Sequence, residues 1–451
     1  MLGYGPAFVG FGDSHEYVTA AVLGVFHDVQ KPAGYPIFLR TVHLFSDSLT
    51  FKILIQHVLG IATGLLLYKA VRRTGAPAWL GLLPAAVVFF GGTGVLLEHS
   101  LLGDSLFAFL QALGLYAGIR TLTEPQLRWP LLAGLAIGGS FWVKTVGLSS
   151  AIVLPPLLLA WAAGPARRRL VSAGTAGCVA LVMILGYVPV QALVSGYWGY
   201  ERQSAWNLYG RVATFVDCSR FTPPAGTRFL CPTEASGHRQ SESFYQYART
   251  APAVRRFDGP AHAPASANAL LQRFSVAAIT HEPLAYVEAI LRSLTFYVSV
   301  RNGEGYTPEG IRDALLEAKG VESIQPSISA YYPHDHGYLG SASENSALDS
   351  YESDTRIQGP LLLVLLAAAI AGVPLLRGRM RAASLLFSLT AICSVALAAA
   401  GNSYDARYGY PAFGPLAAAA ALGAWALLSR VRPRRARAAA NVRSAGRAAS
   451  G

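Results

Sequence analysis

Long apolar blocks alternate with short polar turns along most of the chain. A longer block at 130–163 is interrupted by Lys144 and Gly147 and predicts two crossings. Seven further blocks are each long enough, or nearly so, to cross a hydrocarbon layer of roughly 30 Å as a helix. They are 51–71, 77–97, 101–119, 170–194, 359–376, 382–400 and 411–429. We therefore predict an all-α polytopic membrane protein whose chain crosses the membrane nine times.

The same pattern divides the chain into five parts. The first contains two short amphipathic stretches, 15–28 and 35–46, which predict interfacial helices in a first outer loop. Six crossings follow, then a large polar region, then three more crossings and a basic tail, which is predicted to be disordered. The predicted boundaries are 1–50, 51–195, 196–358, 359–430 and 431–451.

The polar region 196–358 is mixed in character. Its middle part, 217–268, is rich in Pro, Ser and Gly and predicts irregular structure, whereas 270–300 has the apolar spacing of a helix. Cys218 and Cys231 enclose a short stretch that contains proline. In an oxidising compartment this pair favours a disulfide, and two buried free thiols are the alternative.

Composition and charge indicate the class and the topology. The chain is 53% hydrophobic and 14% charged, whereas soluble domains carry about 25% charged residues. The net charge of +12 comes from basic residues at alternate helix ends, which is typical of cytoplasmic loops and not of a nucleic-acid site. Most acids outside 196–358 lie on the opposite side, with Glu124 as an exception. We predict a cell-membrane protein with 196–358 extracytoplasmic and the C-terminus cytoplasmic.

This topology places the N-terminus outside, although nothing before Gly10 resembles a translocating segment. We therefore expect one more helix upstream in the natural protein, ending near Phe11. The Ala-, Arg- and Gly-rich composition suggests a GC-rich bacterial genome.

The most distinctive motifs lie in the first loop, at 12–17 (GDSHEY) and 31–36 (KPAGYP). An acidic residue followed by a basic residue before proline resembles the GT-C superfamily of glycosyltransferases, in the branch of the protein O-mannosyltransferases and the lipid A aminoarabinose transferases. KPAGY here replaces the more usual His/Lys-Pro-Pro. The resemblance also covers the hydrophobic layout of nearly the whole chain. It implies transfer of a sugar from a polyprenyl-phosphate donor to a hydroxyl acceptor on the outer face, with inversion.

Such a reaction needs a carboxylate that accepts the hydroxyl proton and fixed positive charge around the departing phosphate. It needs no nucleotide-binding fold, and the sequence has no glycine motif for one. Asp13 matches the family's first-loop aspartate, which implies the role of general base. Asp13 and Glu16 also fit a capping box at the start of a helix, so capping is the alternative.

The resemblance implies three cations that bind the donor phosphate. Lys31 is the basic residue before proline, Arg407 stands in the last outer turn, and Lys144 interrupts an apolar block, where a charge usually faces a cavity. Each has a simpler interpretation. Lys31 reaches lipid headgroups, Lys144 snorkels at the membrane surface or pairs with Glu98, and Arg407 forms an ion pair with Asp405.

Glu98 and Asp104 form a predicted second acidic site at the turn between two crossings. The family often has a carboxylate here that faces the same cavity. It would bind the acceptor, orient the phosphate-binding lysine, or share a divalent cation with the first-loop aspartate, although no metal-ligand spacing is visible. The alternatives are a helix cap for Asp104 and a solvated Glu98. Tyr35 and Tyr408 are further predicted substrate-binding residues.

The expected partners are a polyprenyl-phosphate-linked sugar, membrane lipids and a hydroxyl-bearing glycan, lipid or protein of the cell envelope. The alternative function is a transporter or flippase of a lipid-linked sugar. Charged residues at the outer helix ends, and not at mid-depth, disfavour it. A non-catalytic scaffold would leave Asp13, Lys31 and Arg407 without a common role.

Overall fold

The computed structural model describes residues 13–26, 29–234, 238–260, 263–299, 330–333, 342–357, 359–402 and 404–448. The regular structure in this part of the chain is helical, which confirms the predicted all-α polytopic class. The helices are α1 Asp13–Leu23, α2 Gly34–His43, α3 Leu49–Arg73, α4 Leu82–Phe90, α5 Gly92–His99, α6 Asp104–Thr123, α7 Arg128–Val143, α8 Leu148–Trp161, α9 Ala166–Ser195, α10 Gln203–Ala213, α11 Glu242–Tyr247, α12 Pro252–Phe257, α13 Ala265–His281, α14 Pro283–Val298, α15 Ala342–Thr355, α16 Pro360–Gly372, α17 Gly378–Gly401 and α18 Ala406–Ala448.

Six helices among the described residues are long and apolar enough to cross a membrane. They are α3, α6, α9, the run Ser350–Gly372, α17 and the part Ala406–Ser429 of α18. The pair α4 and α5 is bent by 50° and makes a seventh span if it crosses as one. Helices α7 and α8 occupy the block that was predicted to cross twice, but they have only 16 and 14 residues. The number of nine crossings therefore stays a prediction.

The bundle is built from close helix pairs. Helix α7 packs against α6 and α9, α3 packs against α6, and α18 packs against both α16 and α17. Gly372 and Gly423 allow α16 and α18 to touch, because a Cβ on either residue would overlap the facing backbone. Helix α9 lies at the periphery of the bundle. Only 17% of the residues in its most apolar 18-residue stretch are buried, which is expected of a helix that faces lipid.

The arginine-rich turns share one end of the bundle. Glu124, the acid that did not fit the predicted charge pattern, pairs there with Arg73 at 3.1 Å and with Arg120 at 2.8 Å. Helices α7, α9 and α17 all begin after turns at this end and run to the opposite one. The turns that follow them, near residues 144, 201 and 402, therefore lie at the end without arginine clusters. The cytoplasmic side of the arginine end stays a prediction.

The described part of the region after α9 has a core of its own. Helix α10 packs on α13 and α11, with Trp206, Tyr209 and Phe274 fully buried between them. Cys218 and Cys231 are joined by a disulfide with an S–S distance of 2.09 Å, beside this core. Between 217 and 264, the described residues form only the six-residue helices α11 and α12 and the short 3₁₀ turn Arg228–Leu230, as expected for a mostly irregular stretch.

Residues 270–300 were predicted to be helical, and the described part, 270–299, contains the end of α13 and the whole of α14. The break is at Glu282 and Pro283, and Pro283 is the first residue of α14. Proline lacks a backbone N–H and its ring excludes the α conformation from the residue before it, so a continuous helix through this position is disfavoured.

Candidate active site

A polar cleft opens at the end of the bundle opposite the arginine clusters. It holds about 780 Å³ of empty space, including its open mouth. It forms where the start of α1, the turns after α7 and α17, and the start of α10 meet. Its charged lining residues are Asp13, Lys31, Lys144, Glu201 and Arg407. The cleft therefore concentrates both signs of charge at the level where transmembrane helices end.

Asp13 lies between two cations. Its Oδ1 is 2.8 Å from Nζ of Lys31, and its Oδ2 is 2.9 Å from Nη1 of Arg407. Burial opposes ionisation of Asp13, but Lys31 and Arg407 outweigh it and hold the pKa of this carboxyl well below its usual range. Asp13 is also the first residue of α1, so capping remains open. Capping alone would not require two cations from distant segments.

The segment that carries Lys31 is fixed against the bundle by its own small residues. The backbone N–H of Ala33 donates to the Tyr187 hydroxyl at 3.0 Å. A Cβ on Gly34 would lie only 2.5 Å from the carbonyl oxygen of Trp142, so a glycine is required for this approach. The KPAG motif thus docks on the end of α7 and on α9, which holds Lys31 at the cleft.

Arg407 and Tyr408 are held by the turn before α18. Asp405 Oδ1 accepts a hydrogen bond from the Arg407 backbone N–H at 2.9 Å, which caps the helix, and its Oδ2 is 2.8 Å from Arg407 Nε. The predicted ion pair with Asp405 is therefore present together with the contact to Asp13. Asn402 Nδ2 donates to the Tyr408 hydroxyl at 2.9 Å, and both residues line the cleft.

Lys144 is held from behind by Asp104. The Lys144 ammonium is 2.5 Å from Asp104 Oδ1, and it lies 5.7 Å from the ring centre of Tyr408. Asp104 is 1% exposed and does not line the cleft, whereas Lys144 does. A buried carboxylate requires such a partner. One interpretation of the sequence paired Lys144 with Glu98. In the structure its partner is Asp104.

Glu98 and Tyr35 lie behind the cleft and do not line it. Glu98 Oε2 is 2.9 Å from Nδ1 of His57, and Glu98 Oε1 accepts from the Tyr410 hydroxyl at 3.4 Å. The Tyr35 side chain is fully buried, and its hydroxyl donates to Gln56 Oε1 at 2.6 Å. In this structure both residues belong to a packed polar layer of the bundle.

A polar edge of the cleft was missed by sequence reasoning. It consists of Glu201, Gln203, Ser204 and Asn207, from the segment after α9 and the first turns of α10. Tyr17, from the first-loop motif, also lines the cleft. The only sequence signal was a run of polar residues directly after the aromatic residues that leave the membrane, and such runs are common in loops.

Asp13 and Glu98 do not lie together as a shared divalent cation would need, because Asp13 lines the cleft and Glu98 does not. Asp13 and Glu98 have separate partners, and nowhere in the described ranges do three or more His, Cys, Asp or Glu side chains converge at metal-ligand distance. The cleft combines three cations with the carboxylates of Asp13 and Glu201, an arrangement that suits a phosphate group and a proton transfer.

The apolar helices define a multi-pass membrane protein, and the charged cleft at one end of the bundle is its candidate site. Residues 30–192 match the family model described as dolichyl-phosphate-mannose-protein mannosyltransferase. This segment, less than half of the chain, begins beside Lys31, contains Lys144 and ends in α9. The match confirms the resemblance to GT-C glycosyltransferases and indicates a membrane glycosyltransferase of the mannosyltransferase type. A comparison with curated proteins found no match to the chain.

Proposed function

We propose that the protein transfers a sugar from a polyprenyl-phosphate donor to a hydroxyl acceptor in this cleft. The contact of Asp13 with both Lys31 and Arg407 carries the proposal. A lipid-borne donor presents its phosphate at the membrane surface, where the transmembrane helices end. The reaction needs cations for that phosphate and a carboxylate for the acceptor proton, and the cleft supplies both within one set of contacts.

The proposed phosphate ligands are Lys31, Arg407 and Lys144. The planar guanidinium of Arg407 offers two parallel N–H donors to phosphate oxygens, and the two ammonium groups add positive charge. Negative charge grows on the phosphate oxygen as its bond to the anomeric carbon breaks. Cations that are already fixed at that position stabilise the transition state without further reorganisation.

Asp13 is the proposed general base, but its ion pairs make it a weak base in the resting state. A carboxyl whose pKa lies far below neutrality takes up a proton poorly. A donor phosphate competes for Lys31 and Arg407, which weakens their hold on Asp13 and raises its pKa. Asp13 then accepts the hydroxyl proton while the acceptor oxygen bonds to the anomeric carbon, the bond to phosphate breaks, and the configuration inverts.

The proposed site is extracytoplasmic, with a cytoplasmic C-terminus, in the cell membrane. Its support is the position of the cleft opposite the arginine-rich turns, because Lys- and Arg-rich loops stay in the cytoplasm. The proposed acceptor is a hydroxyl of an envelope glycan, lipid or protein, which would reach the anomeric carbon through the open mouth of the cleft.

The class is tested with purified protein in liposomes and a panel of polyprenyl-phosphate sugars that includes mannose. We expect release of polyprenyl phosphate in step with transfer of the sugar, and an inverted anomeric configuration by NMR of the product. Lys31→Ala and Arg407→Ala should each lower release strongly. Arg220→Ala, at an exposed arginine that does not line the cleft, is the matched control and should have no effect. Translocation of intact donor without release would contradict the proposal and support a transporter.

Sidedness has its own test in whole cells. The free cysteines Cys178 and Cys393 are first replaced by Ser. A cysteine at exposed Glu288 on α14 should then react with a membrane-impermeant maleimide, whereas a cysteine at exposed Arg168 should react only after permeabilisation. The opposite labelling pattern would refute the extracytoplasmic assignment.

A further inference from the structure

Glu201 is held in place on both sides. The backbone N–H of Arg202 donates to the carbonyl of Val29 at 2.9 Å, two residues before the phosphate-binding lysine of the first loop. The hydroxyl of Tyr200 donates to the carbonyl of Phe141, three residues before the second lysine. The segment with Glu201 is therefore tied to both cation-bearing segments, and its half-buried side chain lines the cleft.

The carboxylate of Glu201 retains acceptor capacity. Its Oε1 accepts a hydrogen bond from the Ser204 hydroxyl at 2.6 Å. An ionised carboxylate has about four acceptor positions, so most of them remain. No cation of the described residues lies within ion-pair distance of Glu201, in contrast to Asp13 with its two partners. A carboxylate of this kind in a cleft is suited to bind hydroxyl groups.

Asn207 complements this acceptor with a donor. Gln203 Nε2 donates to Asn207 Oδ1 at 2.9 Å and to the Tyr247 hydroxyl at 2.7 Å. Gln203 is itself fixed by Gln30, whose Nε2 donates to Gln203 Oε1 at 3.3 Å. This network occupies the oxygen of the Asn207 amide and leaves its NH₂ group for a ligand. One edge of the cleft thus offers a carboxylate acceptor and an amide donor.

We propose that Glu201 and Asn207 recognise ring hydroxyls of the transferred sugar. The inference rests on the proposed function and names the residues that would select its sugar. A hydroxyl both donates and accepts, so two neighbouring hydroxyls match one carboxylate and one amide N–H.

The placement favours the sugar of the donor over the acceptor. The sugar is bonded directly to the phosphate, so its ring lies next to the phosphate-binding cations. Glu201 stands between the segments of two of these cations, Lys31 and Lys144. A site built to hydrogen-bond a hydroxyl also discriminates strongly against an analogue that lacks it, which makes these residues candidates for sugar specificity.

The test compares the binding of two probes to the purified full-length protein without acceptor. One probe is polyprenyl phosphate with a methyl group in place of the sugar, called the bare lipid, and the other carries a mannosyl group there, so both are phosphodiesters with one negative charge. The wild type should bind the mannosyl lipid about tenfold tighter, the effect of one hydrogen bond to a charged group. Glu201→Gln and Asn207→Ala should bring this ratio towards one and keep the affinity for the bare lipid. Glu288→Gln, at an exposed glutamate, is the matched control.

Each outcome bears on a different claim. Equal binding of both lipids by the wild type, or an unchanged ratio in Glu201→Gln, would overturn the inference and leave the phosphate site standing. If Glu201→Gln changed only the KM of the acceptor in a transfer assay, the edge would bind the acceptor and the inference would be wrong. A wild type that binds neither lipid would refute the proposed donor itself. Retained binding of the bare lipid also shows that each variant is folded.

Discussion

Replacement of Asp13 by Asn should strengthen donor binding while it abolishes transfer. Asp13 is the resting partner of Lys31 and Arg407, at 2.8 and 2.9 Å. A donor phosphate needs the same two cations, so the carboxylate competes with it. Asparagine keeps the size of the side chain but removes the charge, and both cations then become available to the phosphate.

The size of the effect follows from the two ion pairs. Exposed ion pairs are worth about 0.2–1 kcal/mol each, and these are partly shielded, so we take about 0.7 kcal/mol for each. Their sum, about 1.4 kcal/mol, corresponds to roughly tenfold tighter binding of polyprenyl phosphate. Loss of a general base lowers the rate about 10²- to 10⁴-fold. The variant should therefore have a lower Kd for the donor and nearly no turnover.

The assay is equilibrium binding of radiolabelled polyprenyl phosphate, combined with release of that lipid from the mannosyl donor. Asp217→Asn is the matched control, because it removes a half-buried aspartate that pairs with Arg220 and does not line the cleft. Weaker binding by Asp13→Asn would show that Asp13 supports the phosphate site and does not compete for it. Tighter binding with full turnover would refute its role as base and leave only helix capping.

Three further predictions concern the cleft and the polar layer behind it. Asp104→Asn removes the anchor of Lys144, so we expect turnover to fall about tenfold and the binding of bare polyprenyl phosphate to weaken, because Lys144 is one of its proposed ligands; equal turnover and equal binding would exclude a positioning role. Gly60→Ala should cost about 1–3 kcal/mol in unfolding free energy, because its Cβ would overlap a buried carboxylate, whereas Gly186→Ala, with open space around it, should not; thermal unfolding in detergent measures both. Burial raises the pKa of Glu201, so the preference for the mannosyl lipid should fall in acid at a higher pH than for an ordinary glutamate of pKa about 4.3. In Glu201→Gln the ratio of the two affinities should not depend on pH. If the ratio fell with pH in Glu201→Gln as it does in the wild type, the assignment would be wrong.

The fold could be predicted from the sequence because the bilayer leaves few choices. Backbone N–H and C=O groups in hydrocarbon must bond within the segment, so long apolar blocks become helices. The break at Lys144 was visible for the same reason, since a charge disfavours burial in lipid. The lengths of α7 and α8 and the bend between α4 and α5 depend on packing with neighbours, which the pattern of one segment does not contain.

The site could be predicted only in part. Asp13, Lys31 and Arg407 stand out as charges at helix ends, and the structure brings them into direct contact. Glu98 was expected to face the same cleft, but it lies behind the cleft. The rotation of a helix about its axis decides which side chains face the cleft and which face the bundle. One residue changes that direction by about 100°. Glu201 was missed because its place depends on how the segment after α9 packs against the first loop.

The most direct test of the central claim is a structure of the full-length protein with polyprenyl phosphate bound. We predict that the phosphate lies between Lys31 and Arg407, within hydrogen-bond distance of both, and that Asp13 has lost at least one of its two resting contacts. A phosphate bound elsewhere, with the contacts of Asp13 unchanged, would contradict the account.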